Sequence, residues 1–237
     1  MLRSRIIPTL LVHNMGLVKT ENFGKSKYVG DPINAVKIFN EKEVDELIVL
    51  DIDATKENRG PNFQLIKNLS VECRMPLCYG GGVTSVEEAK KIVELGVEKV
   101  SFSAAAISNI NLLKEVGKVI GLQSVVVVLD YKRTGFFNKL ELFTHNGTNS
   151  TGVNLFDFVI ELEKIGVGEI VLNSIERDGK MNGYDLNTVE KIRNIFKGPI
   201  TVLGGAGELN DIKKLIKKFK IIGAAAGSLF VFKGKYK

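Results

Sequence analysis

The chain has 237 residues, of which 44% are hydrophobic and 25% charged, and its formal net charge is +6. It contains no apolar run of transmembrane length, and Arg3-Ser4-Arg5 leads directly into Ile6-Ile7-Pro8 without the apolar core of a signal peptide. These features predict a globular cytoplasmic protein with no membrane partner, folded as one large domain or two small ones.

Apolar runs of strand length alternate with amphipathic runs of helix length, which predicts βα units and a parallel sheet. The predicted strands span residues 6–12, 46–51, 76–79, 97–102, 124–130, 169–173, 200–203 and 221–225. The predicted helices span about 31–40, 61–71, 109–119, 152–165, 186–196 and 207–219, and one more begins at Thr84. Residues 136–144 are predicted to form an inserted hairpin that turns at Asn138-Lys139. Eight βα units without a linker predict a single (β/α)8 barrel over residues 1–237.

The sequence also carries a twofold internal repeat, with half-barrels at about 1–120 and 121–237. A shift of about half the length aligns Leu50-Asp51-Ile52 with Leu172-Asn173-Ser174, Gly81-Gly82 with Gly204-Gly205, and Val100-Ser101-Phe102-Ser103 with Ala225-Ala226-Gly227-Ser228. Near the start of each half, Leu10-Leu11 lies opposite Leu129-Asp130. The first half therefore has a leucine where the second half has an acid.

The most apolar predicted strand, Val125-Val126-Val127-Val128-Leu129, ends in Asp130. Ligands of α/β proteins bind outside the carboxyl ends of such buried strands. We hypothesise that desolvation raises the pKa of Asp130 into a range that suits acid–base catalysis. Asp51 and Asp178 are predicted at or just beyond strand ends on the same face, where carboxylates can transfer protons or hold ribose hydroxyls. For Asp178, a helix-capping role is an equally good interpretation.

Two glycine-rich loops occupy equivalent positions in the two halves. Gly80-Gly81-Gly82 and Gly204-Gly205-Ala206-Gly207 each connect a predicted strand to a predicted helix, where glycine lets backbone N–H groups approach an oxyanion. A tight βα turn also needs glycine without any ligand. The repeat of the pattern, with Ser103-Ala104 and Gly227-Ser228 at the next strand ends, favours two phosphate sites and a substrate with a phosphate at both ends.

The remaining charged and metal-binding residue types point to no further ligand. Five lysines near the end of the sequence favour a solvated helix face over a polyanion-binding patch, so no nucleic-acid partner is expected; they are Lys213, Lys214, Lys217, Lys218 and Lys220. Cys73 and Cys78 lack further ligands for zinc and are predicted to be reduced thiols. His13 and His145 are the only histidines, so neither a metal centre nor another cofactor is predicted.

Many short segments, in order over the whole chain, resemble the cyclase subunit of imidazole glycerol phosphate synthase, the HisF family. These segments are Arg5-Ile6-Ile7-Pro8, Val18-Lys19, Gly30-Asp31-Pro32, Leu50-Asp51-Ile52, Gly80-Gly81-Gly82-Val83, Lys99-Val100-Ser101, Asp130-Tyr131-Lys132-Arg133, Arg177-Asp178-Gly179, Gly183-Tyr184-Asp185, Gly204-Gly205-Ala206-Gly207 and Gly227-Ser228. The resemblance implies a phosphate-binding (β/α)8 barrel that receives ammonia from a HisH-like glutaminase docked at its N-terminal face. It also implies that ammonia is added to a bis-phosphorylated ribulosyl formimino substrate, which then cyclises and is cleaved.

The resemblance carries several functional positions onto this sequence. The family's second catalytic aspartate falls on Asp130 and its mobile-loop lysine on Lys19. Its ring of gate charges at the ammonia entrance falls on Arg5, Glu46, Lys99 and Glu169. Each stands at the N-terminal start of a predicted strand and their signs alternate, so they can form a salt-bridged square. The predicted phosphate- and substrate-binding residues are Asp51, Gly81, Gly82, Ser103, Ala104, Asn173, Asp178, Gly179, Gly204, Gly205, Gly227 and Ser228.

One departure from the family pattern changes the expected chemistry. The family's first catalytic aspartate falls on Leu11, and a leucine can neither donate nor accept a proton. Ser103 and Asn173 also replace an asparagine and a threonine of the family. Losing one member of a general acid–base pair commonly costs on the order of 10²–10⁴ in rate.

Three functions follow from the resemblance and its departures. A HisF-like branch of the WbuZ type works with a glutaminase and a separate amidotransferase that amidates a surface-polysaccharide sugar, and Asp51-Ile52-Asp53-Ala54-Thr55 with Pro61-Asn62-Phe63 resembles that branch. We expect this function first. The second is the cyclase of histidine biosynthesis with an unusual first strand. The third is a scaffold without catalysis that activates the glutaminase.

Overall fold

The computed structural model describes residues 3–231, and in this range eight parallel strands close into a barrel. The strands are β1 (Arg5–His13), β2 (Gly16–Lys19), β3 (Lys27–Gly30), β4 (Leu47–Asp51), β5 (Leu77–Gly80), β6 (Lys99–Phe102), β7 (Val125–Thr134), β8 (Lys139–Thr144), β9 (Asn149–Asn154), β10 (Glu169–Ser174), β11 (Ile200–Leu203) and β12 (Gly223–Ala226). Pairing of β7 with β10 closes the barrel, and β2, β3, β8 and β9 lie outside it. The predicted (β/α)8 barrel is confirmed; residues 1–2 and 232–237 of the predicted domain lie outside the described part.

The helices follow successive barrel strands. They are α1 (Pro32–Glu41), α2 (Phe63–Glu72), α3 (Val86–Glu94), α4 (Ala104–Ser108), α5 (Asn111–Ile120), α6 (Leu155–Ile165), α7 (Leu186–Ile195), α8 (Leu209–Phe219) and α9 (Ser228–Val231). The Asp31 carboxylate accepts a hydrogen bond from the Asn34 N–H at 2.9 Å, with Pro32 at the first helical position. Ser85 and Glu88 form a capping box on α3. The lysines of α8 are exposed, as the solvated-face interpretation predicted.

Side chains alternate between the barrel interior and the layer under the helices, as the period of a strand requires. The interior layer is apolar and consists of Ile7, Ile48, Cys78, Val126, Val128, Val171, Leu203 and Ala225, with Leu50 packed against it. The alternate residues of the same strands, such as Val127 and Leu172, belong to the larger cluster that the helices cover. Each barrel strand is therefore buried on both faces, which explains its continuous apolar sequence.

The predicted hairpin within residues 136–144 is wrong in its turn and in its extent. Strand β7 continues to Thr134, which pairs with Lys139, so the turn lies at residues 135–138. Strand β9 then pairs with β8, and the Glu141 carboxylate accepts a hydrogen bond from the Gly152 N–H at 2.9 Å. Helix α6 consequently begins at Leu155 rather than at residue 152.

A second antiparallel insertion, formed by β2 and β3, was not predicted. It follows β1 through a tight turn in which Asn14 and Met15 both have left-handed backbone angles, with φ of 47° and 64°. Two such residues are typical of a two-residue hairpin turn. Lys19 is the last residue of β2, the first strand of the insertion.

The internal repeat is confirmed, but one predicted pairing is off by one residue. A Cβ atom at Gly81 would lie 2.3 Å from the Asp51 carbonyl oxygen, and one at Gly204 would lie 2.8 Å from the Ser174 carbonyl oxygen, so Asp51 corresponds to Ser174 and not to Asn173. Leu50 therefore corresponds to Asn173. Because Leu11 pairs with Leu50 and Asp130 pairs with Asn173, the predicted correspondence of Leu11 with Asp130 holds.

Candidate active site

A cavity of about 360 Å³ opens at the carboxyl ends of the barrel strands, the end of the barrel that we call the mouth. The structure brings ten of the positions predicted for the site into its lining: Leu11, Lys19, Asp130, Asn173, Asp178, Gly179, Gly204, Gly205, Gly227 and Ser228. A second cavity of about 340 Å³ is lined by Asp51, Gly81, Gly82, Ser103 and Ala104, and Asp130 borders both cavities. The mouth is the usual position of active sites in this fold.

The carboxyl of Asp130 has a pKa near neutrality. Burial raises the pKa of its carboxyl to about 7, the hydrogen bond from Asn173 acts in the opposite direction, and the negative charge of Asp178 raises the pKa further. The Asn173 Nδ2 donates to Asp130 Oδ1 at 2.8 Å. The hypothesis that desolvation raises this pKa is confirmed, and both protonation states are populated near pH 7.

Leu11 lies at the same level of the barrel on the opposite half. Its side chain is half-buried and lines the main cavity, and its strand neighbour is Leu50, which also borders the cavity. Both positions are apolar, whereas the corresponding pair in the second half is Asp130 and Asn173. No proton can be transferred at this level of the first half.

Asp178 does not cap a helix. Its carboxylate accepts hydrogen bonds from the Thr20 hydroxyl at 2.8 Å and the Phe23 N–H at 3.2 Å. Burial raises its pKa, although these hydrogen bonds act the other way. Helix α7 is capped by Asp185 instead. Asp178 therefore anchors the loop that follows Lys19, and the capping interpretation is wrong.

The carboxylate of Asp51 accepts hydrogen bonds from residues of the loop that follows it. Arg59 donates to both of its carboxylate oxygens, at 2.8 and 3.0 Å, and the Ala54 N–H donates at 3.2 Å. The side chain is 4% exposed. These bonds give Asp51 a structural role in the loop between β4 and α2, and its substrate-binding role stays a prediction.

The glycine loops are required by close backbone packing. Gly82 and Gly205 have φ values of +73° and +105°, and added Cβ atoms would lie 2.5 Å from the Arg59 carbonyl oxygen and 2.1 Å from that of Gly183. These contacts alone account for glycine at both positions. Phosphate binding by the loops, and by Ser103, Ala104, Gly227 and Ser228 at the start of the short helices α4 and α9, stays a prediction.

Two buried polar atoms in the main cavity lack hydrogen-bond partners within residues 3–231. They are the Thr9 hydroxyl and the Asn173 Oδ1, and both residues are at least 95% buried. Buried polar groups are normally satisfied, so these two atoms indicate where a ligand would bind. Thr9 was not predicted as a site residue, although it is the one polar residue within an otherwise apolar stretch of β1.

At the opposite end of the barrel, Arg5, Glu46, Lys99 and Glu169 form a ring that we call the charged square. Arg5 contacts Glu46 and donates to Glu169 at 2.6 Å, and Lys99 donates to Glu46 at 2.7 Å and to Glu169 at 2.8 Å. Both carboxylate side chains are 4% exposed. Burial acts to raise the pKa of Glu169, but the hydrogen bonds and charges of Arg5 and Lys99 outweigh it and hold that pKa below its usual value.

Within the described residues, we find neither a disulfide, nor a metal-binding cluster, nor a membrane-spanning helix. Cys73 and Cys78 are unpaired, as predicted. Between residues 3 and 231, no group of three or more His, Cys, Asp and Glu side chains could hold a metal ion. No helix of the same part of the chain is long and apolar enough to cross a bilayer.

A closed barrel of eight parallel strands with helices between them defines the protein as a (β/α)8 barrel. The sequence model of a family described as "Histidine biosynthesis protein" matches residues 5–237. Together with the relatives described next, this match shows that the chain belongs to the histidine biosynthesis family and to its HisF-type members.

Three relatives illustrate the range of similarity. A protein of Vibrio vulnificus, provisionally named as an imidazole glycerol phosphate synthase HisF subunit, is 54% identical over 237 residues, which are 100% of this chain and 91% of the relative. A protein of Leptospira borgpetersenii with a similar provisional name is 54% identical, with coverages of 100% and 93%. The imidazole glycerol phosphate synthase subunit HisF of Lactococcus lactis is 36% identical over 230 residues, with coverages of 97% and 89%.

Proposed function

We propose that this chain is the ammonia-accepting synthase subunit of a glutamine amidotransferase of the imidazole glycerol phosphate synthase type. The observation that carries the proposal is the arrangement along one barrel of the charged square at the N-terminal ends of the strands and Asp130 at the mouth. The names of the relatives describe subunits, which supports a second subunit as partner. We take that partner to be a HisH-like glutaminase that docks over the charged square.

The barrel interior suits the passage of neutral ammonia rather than ammonium. The layer between the charged square and the mouth is apolar and includes Ile48, Val126, Val171 and Ala225. Moving an ammonium ion into such surroundings costs far more than moving an uncharged molecule. Ammonium would therefore lose a proton at or below the charged square, and ammonia would react at the mouth.

The mouth suits a phosphorylated substrate that contains a carbonyl group. Lys19 and Ser228 line the main cavity, and the net charge of +6 favours an anionic ligand. The Thr9 hydroxyl and Asn173 Oδ1 offer unsatisfied polar atoms, and Asp130 can protonate a departing oxygen. Addition of ammonia to a carbonyl carbon, with loss of water, is the step that these groups support.

The first candidate reaction is the formation of imidazole glycerol phosphate from the ribulosyl formimino substrate. The names of the relatives favour it, including the Lactococcus lactis protein at 36% identity. In this reaction the chain would add ammonia, close the imidazole ring and cleave the product.

The second candidate is the amidation of a nucleotide-linked or surface-polysaccharide sugar together with a separate amidotransferase. The specific observation in its favour is Leu11, which leaves the first half of the barrel without an acid at the level of Asp130. A scaffold without catalysis has less support, because nothing in a purely structural role requires the raised pKa of Asp130 or the unsatisfied atoms beside it.

One assay separates the two candidates and tests their common basis. The protein is incubated with ammonium and the ribulosyl formimino substrate, and in parallel with ammonium, the partner amidotransferase and an acetamido sugar. Rapid imidazole glycerol phosphate formation supports the first candidate, and acetamidino product alone supports the second. Absence of both products, with ammonium in excess, would overturn the proposed function.

The variant Leu11→Asp shows in the same assay whether Leu11 limits cyclisation. If Leu11 is what limits cyclisation, we expect the variant to raise the cyclase rate by roughly 10²-fold or more, because a second acid–base group is restored opposite Asp130. Leu11→Asn is the matched control, since it has nearly the same size and polarity but cannot donate an acidic proton. Equal rates for both variants would show that polarity, rather than proton transfer, is what Leu11 excludes.

A further inference from the structure

His13 lines the main cavity and contacts the buried carboxylate of Asp53. Neither residue belongs to the predicted site. We propose that His13 is the general base of the mouth, held in position by Asp53, and that it replaces the proton acceptor missing at Leu11. The inference rests on the proposed function, because it assigns a role within the same ammonia-dependent step.

The register of β1 directs His13 toward the mouth. Ile7 belongs to the interior layer, and Thr9, Leu11 and His13 follow it at intervals of two residues and line the main cavity. His13 therefore stands one step closer to the opening than Leu11, on the same face of the strand. The tight turn at residues 14–15 begins directly after it and fixes the end of the strand.

Asp53 orients the imidazole ring. Its Oδ1 lies 2.6 Å from His13 Nδ1, and its Oδ2 accepts a hydrogen bond from the Asn14 N–H at 2.8 Å. Partial burial acts to raise the pKa of Asp53, but the hydrogen bonds from His13 and Asn14 outweigh it and hold that pKa below its usual value. An ionised Asp53 requires a proton on Nδ1 of His13, which leaves the Nε2 lone pair as the basic site.

The second ring nitrogen is available from the cavity side. The Asn14 side-chain amide lies 3.0 Å from Nε2 and can donate to it, which agrees with an unprotonated Nε2. Asn14 is exposed at the rim, so a substrate can displace its amide. The His13 side chain is 35% exposed, whereas that of Asp53 is 6% exposed. The pair therefore has the geometry of a histidine base with a buried carboxylate as its positioning residue.

Asp53 also has a purely structural role, which does not explain the histidine. Its bond to the Asn14 N–H ties the β1–β2 turn to the loop after β4, and that bond needs no imidazole. Arg59 lies 4.0 Å from Asp53 but is committed to Asp51 and Glu57. The other charged or titratable groups that line the main cavity are Lys19, Lys25, Lys56, Asp130, His145 and Asp178.

His13 and Asp130 together accept and donate all the protons that ammonia addition requires. The nitrogen lone pair of ammonia forms a bond to the carbonyl carbon, and the π electrons move to the oxygen. Nε2 of His13 accepts a proton from the new ammonium nitrogen, and Asp130 gives its proton to the oxygen. The imidazolium proton then leaves with the hydroxyl as water, and the iminium nitrogen returns a proton to Asp130. A carbonyl and ammonia become a C=N–H group and water, and both residues regain their starting states.

The test is His13→Asn, because the asparagine amide can still donate to Asp53 while no group replaces Nε2. With the substrate that the wild type accepts and saturating ammonium, we expect kcat to fall by roughly 10²–10⁴-fold with little change in KM. The basic limb of the pH profile, set by Asp130, should remain. In His13→Ala, added imidazole should restore part of the rate.

Asp53→Asn tests the positioning role, with Asp31→Asn as its matched control. Asparagine caps a helix as well as aspartate does, so Asp31→Asn should leave activity unchanged. Asp53→Asn should lower kcat with little change in KM, because the carboxylate that orients the imidazole ring is removed. A wild type that accepts neither substrate refutes the proposed function and this inference with it. An active wild type, with His13→Asn at near wild-type kcat and no rescue of His13→Ala by imidazole, refutes this inference alone.

Discussion

The ionisable groups at the two ends of the barrel differ in whether they have partners of opposite charge. In the charged square, Arg5 and Lys99 each contact both Glu46 and Glu169, so positive and negative groups alternate around a closed ring. At the mouth, no cation contacts Asp130, which has only the Asn173 amide as hydrogen-bond donor among the described residues.

The difference separates a part of the barrel whose buried charges are paired from a part whose polar groups lack partners among the described residues. A buried ring of paired charges is costly to open, because removing one member leaves another charge buried without compensation. A half-buried carboxyl without a cation partner and buried polar atoms without hydrogen bonds destabilise the folded protein, and they persist where a substrate completes them. Substitutions at the two ends should therefore have opposite effects on stability.

The largest expected effect is on activity at the mouth. Asp130→Asn should lower kcat by roughly 10²–10⁴-fold, since the asparagine keeps the size of the side chain but cannot donate an acidic proton. The basic limb of the pH profile, expected near the Asp130 pKa of about 7, should disappear. The measurement is kcat/KM between pH 5 and 9 with ammonium as nitrogen donor. An unchanged profile would remove Asp130 from the chemistry.

The next effect is on stability at the charged square. Glu169→Ala should lower the free energy of unfolding by about 3–5 kcal/mol, because Arg5 and Lys99 then share a single carboxylate. Glu190→Ala is the matched control: Glu190 forms an exposed pair with Lys218, and its loss should cost no more than about 1 kcal/mol. Urea unfolding measures both values. Equal losses of unfolding free energy in the two variants would mean that burial of the charged square adds nothing to stability.

The smallest effect is a pH-dependent gain in stability at the mouth. The Asp130 pKa is about 7 in the folded chain and about 3.9 when unfolded. Because the pKa is higher in the folded chain, the contribution of Asp130 to the free energy of unfolding is fully present below pH 4. That contribution is lost as the pH rises through 7. Asp130→Asn should therefore match the wild type at pH 4 and exceed it at pH 8 by on the order of 2–4 kcal/mol, after allowance for partial exposure. Urea unfolding at the two pH values tests this, and a variant less stable at pH 8 would contradict it.

Much of the barrel could be predicted from the sequence because its strands are buried on both faces. Such strands give continuous apolar runs, as in residues 125–129, and the helices between them have a clear period. Strands β2, β3 and β9 were missed because they are short and partly exposed, so their sequences carry little apolar pattern. Their existence depends on pairing with neighbours, which a single sequence does not encode locally.

The site was predicted where chemistry follows strand ends and missed where it depends on contact between distant residues. Asp130 and the charged square stand at the ends of recognisable strands. The contact of His13 with Asp53 joins residues from two strands and depends on the turn after β1. The one-residue error that paired Asp51 with Asn173 arose because sequence similarity does not reveal which face of a strand a residue occupies.

The most direct test of the account is the origin of the nitrogen that reacts at the mouth. The chain and its glutaminase partner are given glutamine labelled with ¹⁵N in the amide, an excess of unlabelled ammonium and the substrate accepted in the ammonium assay. Passage from the charged square through the barrel to Asp130 predicts product nitrogen that is mainly ¹⁵N. Product nitrogen with the isotope ratio of the bulk ammonium would contradict the account.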